Sequence, residues 1–127
     1  MDLSFQDVNL EKGIYHALAD LYNSLAFNQE KQNNIEKCNE YLHKRLENLE
    51  NEQSIIKRSK ESTGGRNDKE IQKIENSNIT DQLEVYLKIA ENNFKLKNYQ
   101  DTIKCLNGVI EKCSAVDPSN VNFYKIL

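Results

Sequence analysis

A scarcity of helix-breaking residues is the strongest constraint that this sequence places on its fold. Only Pro118 and four glycines interrupt the 127 residues. Proline and glycine end helices, and they build the tight turns that strand-rich folds require. Their scarcity favours long helices, so the predicted fold class is all-α.

Apolar residues recur at steps of three and four in four stretches of the chain. This spacing places them on one face of a helix. In the first stretch, for example, Ile14, Leu18, Leu21 and Leu25 follow it. The four predicted helices run from about Phe5 to Ala26, Asn33 to Lys57, Thr80 to Lys97 and Gln100 to Ala115, and Asn78 or Thr80 is the predicted N-cap of the third.

The stretch between the second and third predicted helices is polar and contains Gly64 and Gly65. Such a segment buries too little apolar surface to offset the entropy lost on ordering it. The chain is therefore expected to consist of an N-terminal helical hairpin at 1–58, a polar flexible linker at 59–77 and a C-terminal helical unit at 78–127.

A strong turn signal, Asp117-Pro118-Ser119-Asn120, follows the fourth predicted helix. Proline cannot continue a helix, because it lacks the backbone N–H. Val121 to Leu127 then resembles the start of a fifth helix. If its large side chains stayed in water, the fold would lose about 25 cal/mol of burial free energy for each Å² of apolar surface. Three alternatives stay open for them: packing on a partner, homo-oligomerisation, or continuation into a longer protein. The side chains concerned are Phe123, Tyr124, Ile126 and Leu127.

Several residues of the C-terminal unit stand at the spacings of a known helical repeat. A large residue, Tyr86, precedes the apolar-small pair Ile89-Ala90, and Pro118 follows later. On these residues, 83–120 resembles a tetratricopeptide repeat, a helix–turn–helix unit of about 34 residues. The resemblance implies that Ala90 lies where the two helices of the repeat approach closely.

The resemblance also has departures. Asn93 stands where the family usually has an aromatic residue, and Thr102 stands where it usually has alanine. Tyr99 is expected to fill the turn between the two helices.

Residues 12–50 are similar to the same family, but more weakly. Tyr15 and the pair Leu18-Ala19 match a first helix, which aligns Ala19 with Ala90 and requires about four inserted residues after Ala26. The implied fold is two antiparallel helical hairpins plus the start of a fifth helix. A plain helical hairpin is the alternative.

A coiled coil is a further alternative for Ile35 to Ile56. Residues 35, 38, 42, 49 and 56 fit heptad positions a and d. Charged Arg45 and the polar residue at 52 interrupt that heptad.

The resemblance implies a non-catalytic adaptor or scaffold that binds another protein or peptide. In such repeats the first helices line a peptide groove. The candidate groove residues are Tyr15, Leu18, Tyr22, Tyr86, Lys88, Ala90, Glu91 and Asn92.

Two other functions stay open. One is the repeat region of a chaperone cofactor or immunophilin, which would grip the C-terminal carboxylate of a chaperone. The residues of that clamp fall on His16, Asp20, Lys88 and Asn122. Asp20 would repel a carboxylate, whereas Lys88 would still attract one. The other is a structural subunit of a larger assembly that docks through Ile35 to Ile56.

No catalytic, cofactor-binding or metal-binding pattern is found in the sequence. His16 and His43 lack metal-ligand spacing, and Gly64-Gly65 lacks the Lys-Ser/Thr of a phosphate loop. The net charge of −3 disfavours nucleic acid as a partner. No apolar run approaches the roughly 20 residues of a membrane span. Three cysteines and no signal-peptide pattern predict an intracellular, cytoplasmic protein with reduced thiols.

Overall fold

The computed structural model describes residues 3–62 and 69–114, with side chains for 9–61 and 69–113. These residues form four α-helices and no strand, which confirms the all-α prediction. The Pro118 turn, the predicted fifth helix and its four apolar side chains lie outside the described residues. The helices are α1 (Leu3–Lys31), α2 (Ile35–Ser62), α3 (Lys69–Lys95) and α4 (Tyr99–Ser114).

Each helix packs mainly against its neighbours in the chain, in the order α1, α2, α3, α4. One core cluster joins Ala26 of α1, Leu42 of α2 and Ile89 of α3, so α2 lies between α1 and α3. A second cluster joins Leu83 of α3 to Val109 of α4. The fold is therefore a row of two consecutive helical hairpins, with α2 and α3 in its interior.

The hairpin turns at Asn33 and Lys97 have the same conformation. Both residues lie in the left-handed region, with φ of 61° and 64°. In each turn the N–H of this residue donates to the carbonyl oxygen three residues earlier, at 2.9 and 3.0 Å. The following N–H donates to the carbonyl oxygen five residues earlier, at 2.9 and 2.8 Å. This pair of bonds commonly ends a helix at a left-handed residue, and the turn predicted at Lys97-Asn98 is confirmed.

The two turns define which residues of the hairpins are equivalent. Asn33 corresponds to Lys97, a separation of 64 residues. In this register Ala90 corresponds to Ala26, and both alanines are buried. The predicted pairing of Ala19 with Ala90 is wrong, because α1 continues as a helix past Ala26 and no inserted residues are needed. The same register pairs Tyr22 with Tyr86, Leu25 with Ile89 and Leu42 with Leu106.

Helices α2 and α3 extend into both ends of the stretch predicted as a linker. Because α3 begins at Lys69, Asn78 and Thr80 lie inside the helix, and the prediction that either caps it is wrong. Asn78 is buried and donates a hydrogen bond to the buried carboxylate of Glu52 in α2 at 2.8 Å. Polar side chains that satisfy one another can occupy core positions, so the apolar pattern fades although the helix continues.

Candidate functional site

A cavity of about 360 Å³ lies where α1 and α3 flank α2. This volume is within the usual range of small ligand pockets. Three helices contribute its walls, and no loop takes part. It is lined by Asn23, Ala26, Phe27 and Glu30 of α1, Cys38, Leu42 and Arg45 of α2, and Glu84 and Lys88 of α3.

The lining follows helical spacing on each element. Asn23, Phe27 and Glu30 recur at steps of four and three, so one side of α1 forms a wall. Glu84 and Lys88, one turn apart on α3, form the opposite wall. Side chains placed by packed helices hold their geometry better than side chains on loops.

Lys88 connects the two walls. Its Nζ donates to the carboxylate of Glu30 at 3.0 Å and lies 3.6 Å from a carboxylate oxygen of Glu91. Partial burial lowers the pKa of Lys88, but the hydrogen bond and charge of Glu30, with a smaller effect of Glu91, raise it above its ordinary value in sum. Lys88 is therefore a fixed cation whose charge is largely balanced.

Arg45 contributes a donor that has no acceptor. Its Nε is buried and lacks a hydrogen-bond partner among the described residues. A buried polar group left in this state costs about 1–3 kcal/mol. Nearby, burial raises the pKa of Asp81, and the positive charge of Arg45 offsets part of that increase. Arg45 is thus the lining residue with an unpaired donor, and that donor is enclosed by the surrounding side chains.

Cys38 is a buried thiol in the wall that α2 contributes. Burial raises the pKa of this thiol, and the amide of Asn92, 3.5 Å from the sulfur, opposes the increase in part. A thiol with a raised pKa remains protonated at neutral pH and is a poor nucleophile. Its place in the cavity is that of a small apolar side chain.

The predicted groove residues lie in different places. Lys88 lines the cavity. Glu91 is exposed and lies between Lys88 and Lys95, with N···O distances of 3.6 and 3.4 Å. Tyr15 and Leu18 are half-buried on α1 and are not among the lining residues.

The remaining four contribute to helix packing. The ring of Tyr22 lies 6.2 Å from that of Tyr41 in α2. Tyr86 packs against α4 beside Gly108, where a Cβ would approach the ring to 3.3 Å. Ala90 and Asn92 are buried. The carbonyl of Ala90 accepts a bond from Thr102 at 3.4 Å, and Asn92 donates to the side-chain oxygen of Asn39 at 3.0 Å.

Sequence reasoning missed most of the lining, Arg45 above all. Arg45 and Glu52 appeared only as interruptions of an otherwise apolar heptad. In the structure Arg45 lines the cavity, and Glu52 accepts hydrogen bonds inside the fold. A charged residue on the apolar side of an amphipathic helix was therefore the signal that could have located the site.

No family model matches the chain, and neither the curated proteins nor the solved structures contain a match. Within residues 3–62 and 69–114, no helix is apolar enough over sufficient length to cross a membrane. The same residues contain no group of three His, Cys, Asp or Glu side chains that could hold a metal ion.

Proposed function

We propose that this chain is a non-catalytic adaptor of the tetratricopeptide type whose cavity between α1 and α3 binds a peptide segment of another protein. The composition of the lining carries the proposal. Apolar Phe27 and Leu42 lie beside the cations Arg45 and Lys88. A lining that combines apolar side chains with fixed charged ones suits a peptide, which offers side chains to bury and backbone oxygens to accept hydrogen bonds.

The charged residues of the lining limit which peptides can bind in the cavity. Glu30 and Glu84 repel a strongly acidic segment, and Lys88 is already paired with Glu30. The Nε of Arg45 has no acceptor among the described residues, so its guanidinium is the cation of the lining that is not already paired. A segment with one large apolar side chain, next to a backbone carbonyl or a single carboxylate, fits these groups best.

A binding role also agrees with the reactivity of the lining. The raised pKa of Cys38 keeps its thiol protonated, and the raised pKa of Lys88 keeps its amine charged. Neither group is activated as a nucleophile or a general base.

The proposal is tested with a library of random heptapeptides selected on the wild-type chain. Fluorescence polarisation then measures the affinity of the selected peptides. Because hydrogen bonds to charged groups contribute about 1.5–3 kcal/mol, Arg45→Met should weaken binding by about tenfold or more. Lys44→Met, at an exposed neighbouring position of α2, is the matched control and should have no effect. Equal affinity for the Arg45→Met and wild-type chains would contradict the proposal.

A short acidic peptide with a free C-terminal carboxylate tests the chaperone-cofactor alternative on the same samples. We expect it to bind more weakly than the selected apolar peptides. Tighter binding of the acidic peptide, lost in Lys88→Met, would favour the chaperone cofactor instead.

A further inference from the structure

Helix α1 exposes an apolar surface on the side away from α2, here called the α1 outer face: Leu10, Ile14, Ala17, Leu21 and Leu25. All five side chains are exposed. They recur mainly at steps of three and four, so they form one stripe along the helix. No charged residue interrupts this stripe, although 29% of the chain is charged.

Because the hairpins are equivalent at a separation of 64 residues, the α1 outer face can be compared with the same positions of α3. Leu21 and Leu25 correspond to Val85 and Ile89 of α3. Leu21 and Leu25 are 62% and 42% exposed, whereas Val85 and Ile89 are both 0% exposed. Val85 and Ile89 belong to the core cluster that α3 shares with α2. Ile14, Leu21 and Leu25 of the α1 outer face are therefore equivalent to residues that α3 buries, whereas Leu10 corresponds to Ile74, which is 41% exposed.

Helix α4 exposes the complementary half, here called the α4 outer face: Ile103, Leu106 and Ile110. Leu106 and Ile110 are 42% and 62% exposed, whereas their equivalents in α2, Leu42 and Leu46, are 3% and 8% exposed. Leu42 and Leu46 belong to the same cluster as the buried face of α3. The α4 outer face is therefore equivalent to the face by which α2 accepts α3.

We propose that the chain associates head to tail with a second copy of itself, the α4 outer face of one copy packing on the α1 outer face of the next. The contact would repeat the geometry of the α2–α3 interface, which the chain already forms once internally. It joins two different surfaces, so each added copy brings a further α4 outer face. Such heterologous contacts grow into open chains or close into rings.

The polar groups of the two interfaces differ. Inside the chain, Asn39 of α2 donates to Asn93 at 3.1 Å and accepts from Asn92 at 3.0 Å, which fixes the alignment of α2 and α3. Ile103 stands at the position of Asn39, and Ile14 stands at the position of buried Asn78. The intermolecular contact is thus more apolar and lacks these bonds, so we expect reversible association that depends on protein concentration.

Two double variants of the full chain test the proposal, which does not depend on the proposed function because no substituted residue lines the cavity. Leu21→Glu with Leu25→Glu blocks the α1 outer face. Leu106→Glu with Ile110→Glu blocks the α4 outer face. In sedimentation velocity, the average mass of the wild-type species should rise with protein concentration and exceed that of a dimer. Each double variant alone should sediment as a monomer.

The decisive sample is an equimolar mixture of the two variants. One variant keeps only its α4 outer face and the other only its α1 outer face. They should therefore form a dimer with one copy of each and grow no further. Ser54→Glu with Lys57→Glu, at exposed positions of α2, makes the net charge more negative than either double variant does and should still associate like wild type. Circular dichroism checks folding, and Ile110→Glu alone replaces the second double variant if that variant unfolds.

Three outcomes would overturn the proposal. A variant that dimerises alone would indicate pairing of like faces. A mixture that remains monomeric would show that the faces do not bind each other. A monomeric wild type that associates after removal of residues 121–127 would mean that this segment covers the α4 outer face instead.

Discussion

The two hairpins have turns of the same conformation, but their equivalent helices bury different sides. The turns at Asn33 and Lys97 agree in φ and in every backbone hydrogen bond. Leu42 of α2 is buried in the core, whereas its equivalent in α4, Leu106, is partly exposed. Local sequence determines the turn, since a few residues suffice to end one helix and begin the next. Burial depends on whether a neighbouring helix is present, and α2 has one on each side.

The largest effect should come from removing the same side chain at the two equivalent positions. Leu42→Ala removes a buried side chain and enlarges the cavity that Leu42 lines, so it should lower the free energy of unfolding by about 2–5 kcal/mol. Leu106→Ala should cost less than half as much, because its side chain is partly in water. Urea denaturation at low protein concentration measures both. Equal losses would mean that Leu106 is covered within the single chain.

Enlarging the equivalent buried alanines should have the next largest effect. Ala90→Leu overpacks a buried contact and should destabilise the fold by about 1–3 kcal/mol. Ala26→Leu should cost less, because Ala26 lines the cavity and a larger side chain has room there. Ala17→Leu, on the α1 outer face, should change stability by less than about 0.5 kcal/mol. Thermal melts monitored by circular dichroism provide the comparison. A loss for Ala26→Leu as large as that for Ala90→Leu would mean that the cavity beside Ala26 cannot accept a larger side chain.

Replacing the left-handed turn residues Asn33 and Lys97 by glycine should change the free energy of unfolding by different amounts. Left-handed backbone strains a residue with a Cβ, but asparagine tolerates it better than lysine does. We expect Lys97→Gly to raise the free energy of unfolding by about 0.5–1 kcal/mol and Asn33→Gly to raise it by only a few tenths. Urea denaturation of each variant beside wild type measures the change. Destabilisation by Lys97→Gly would contradict the observed turn.

The smallest effect depends on pH and concerns Asp81, which corresponds to exposed Ala17. Burial raises the pKa of Asp81 above its ordinary value of 3.8, so ionising it costs more in the folded state than in the unfolded state. That cost is complete above the folded pKa and disappears as pH falls below 3.8. Asp81→Asn should therefore be slightly more stable than wild type at pH 7. The free energy of unfolding of both proteins is measured from pH 3 to 8. A constant difference between Asp81→Asn and wild type over this range would refute the prediction.

The sequence predicts those features that depend on neighbouring residues along the chain. Helical spacing identified four helices, and the turn at Lys97-Asn98 was found correctly. The extent of α2 and α3 was missed, because buried Asn78 and Glu52 satisfy each other across two helices. Pattern reasoning counts such residues as surface positions.

The candidate site was less predictable than the fold for a similar reason. Lys88 was identified through its place in the resembling repeat, and it lines the cavity. Arg45 and Glu30 come from two other helices and meet Lys88 only after α1, α2 and α3 have packed together. Their proximity depends on how the three helices pack, which no local pattern encodes. The alignment of the two hairpins was also displaced by seven residues, because Ala19 instead of Ala26 was paired with Ala90.

The equivalence of the outer faces to the α2–α3 interface is tested most directly by isotope-filtered nuclear Overhauser spectroscopy on the mixture of the two double variants. The variant with Glu at 106 and 110 carries ¹³C-labelled methyl groups and keeps Leu21 and Leu25, whereas its unlabelled partner keeps Leu106 and Ile110. We expect intermolecular contacts between the methyl groups of Leu25 and those of Leu106 or Ile110, because Ile89 and Leu42 share a cluster inside the chain. Absence of intermolecular signals, or signals only from other surfaces, would contradict the account.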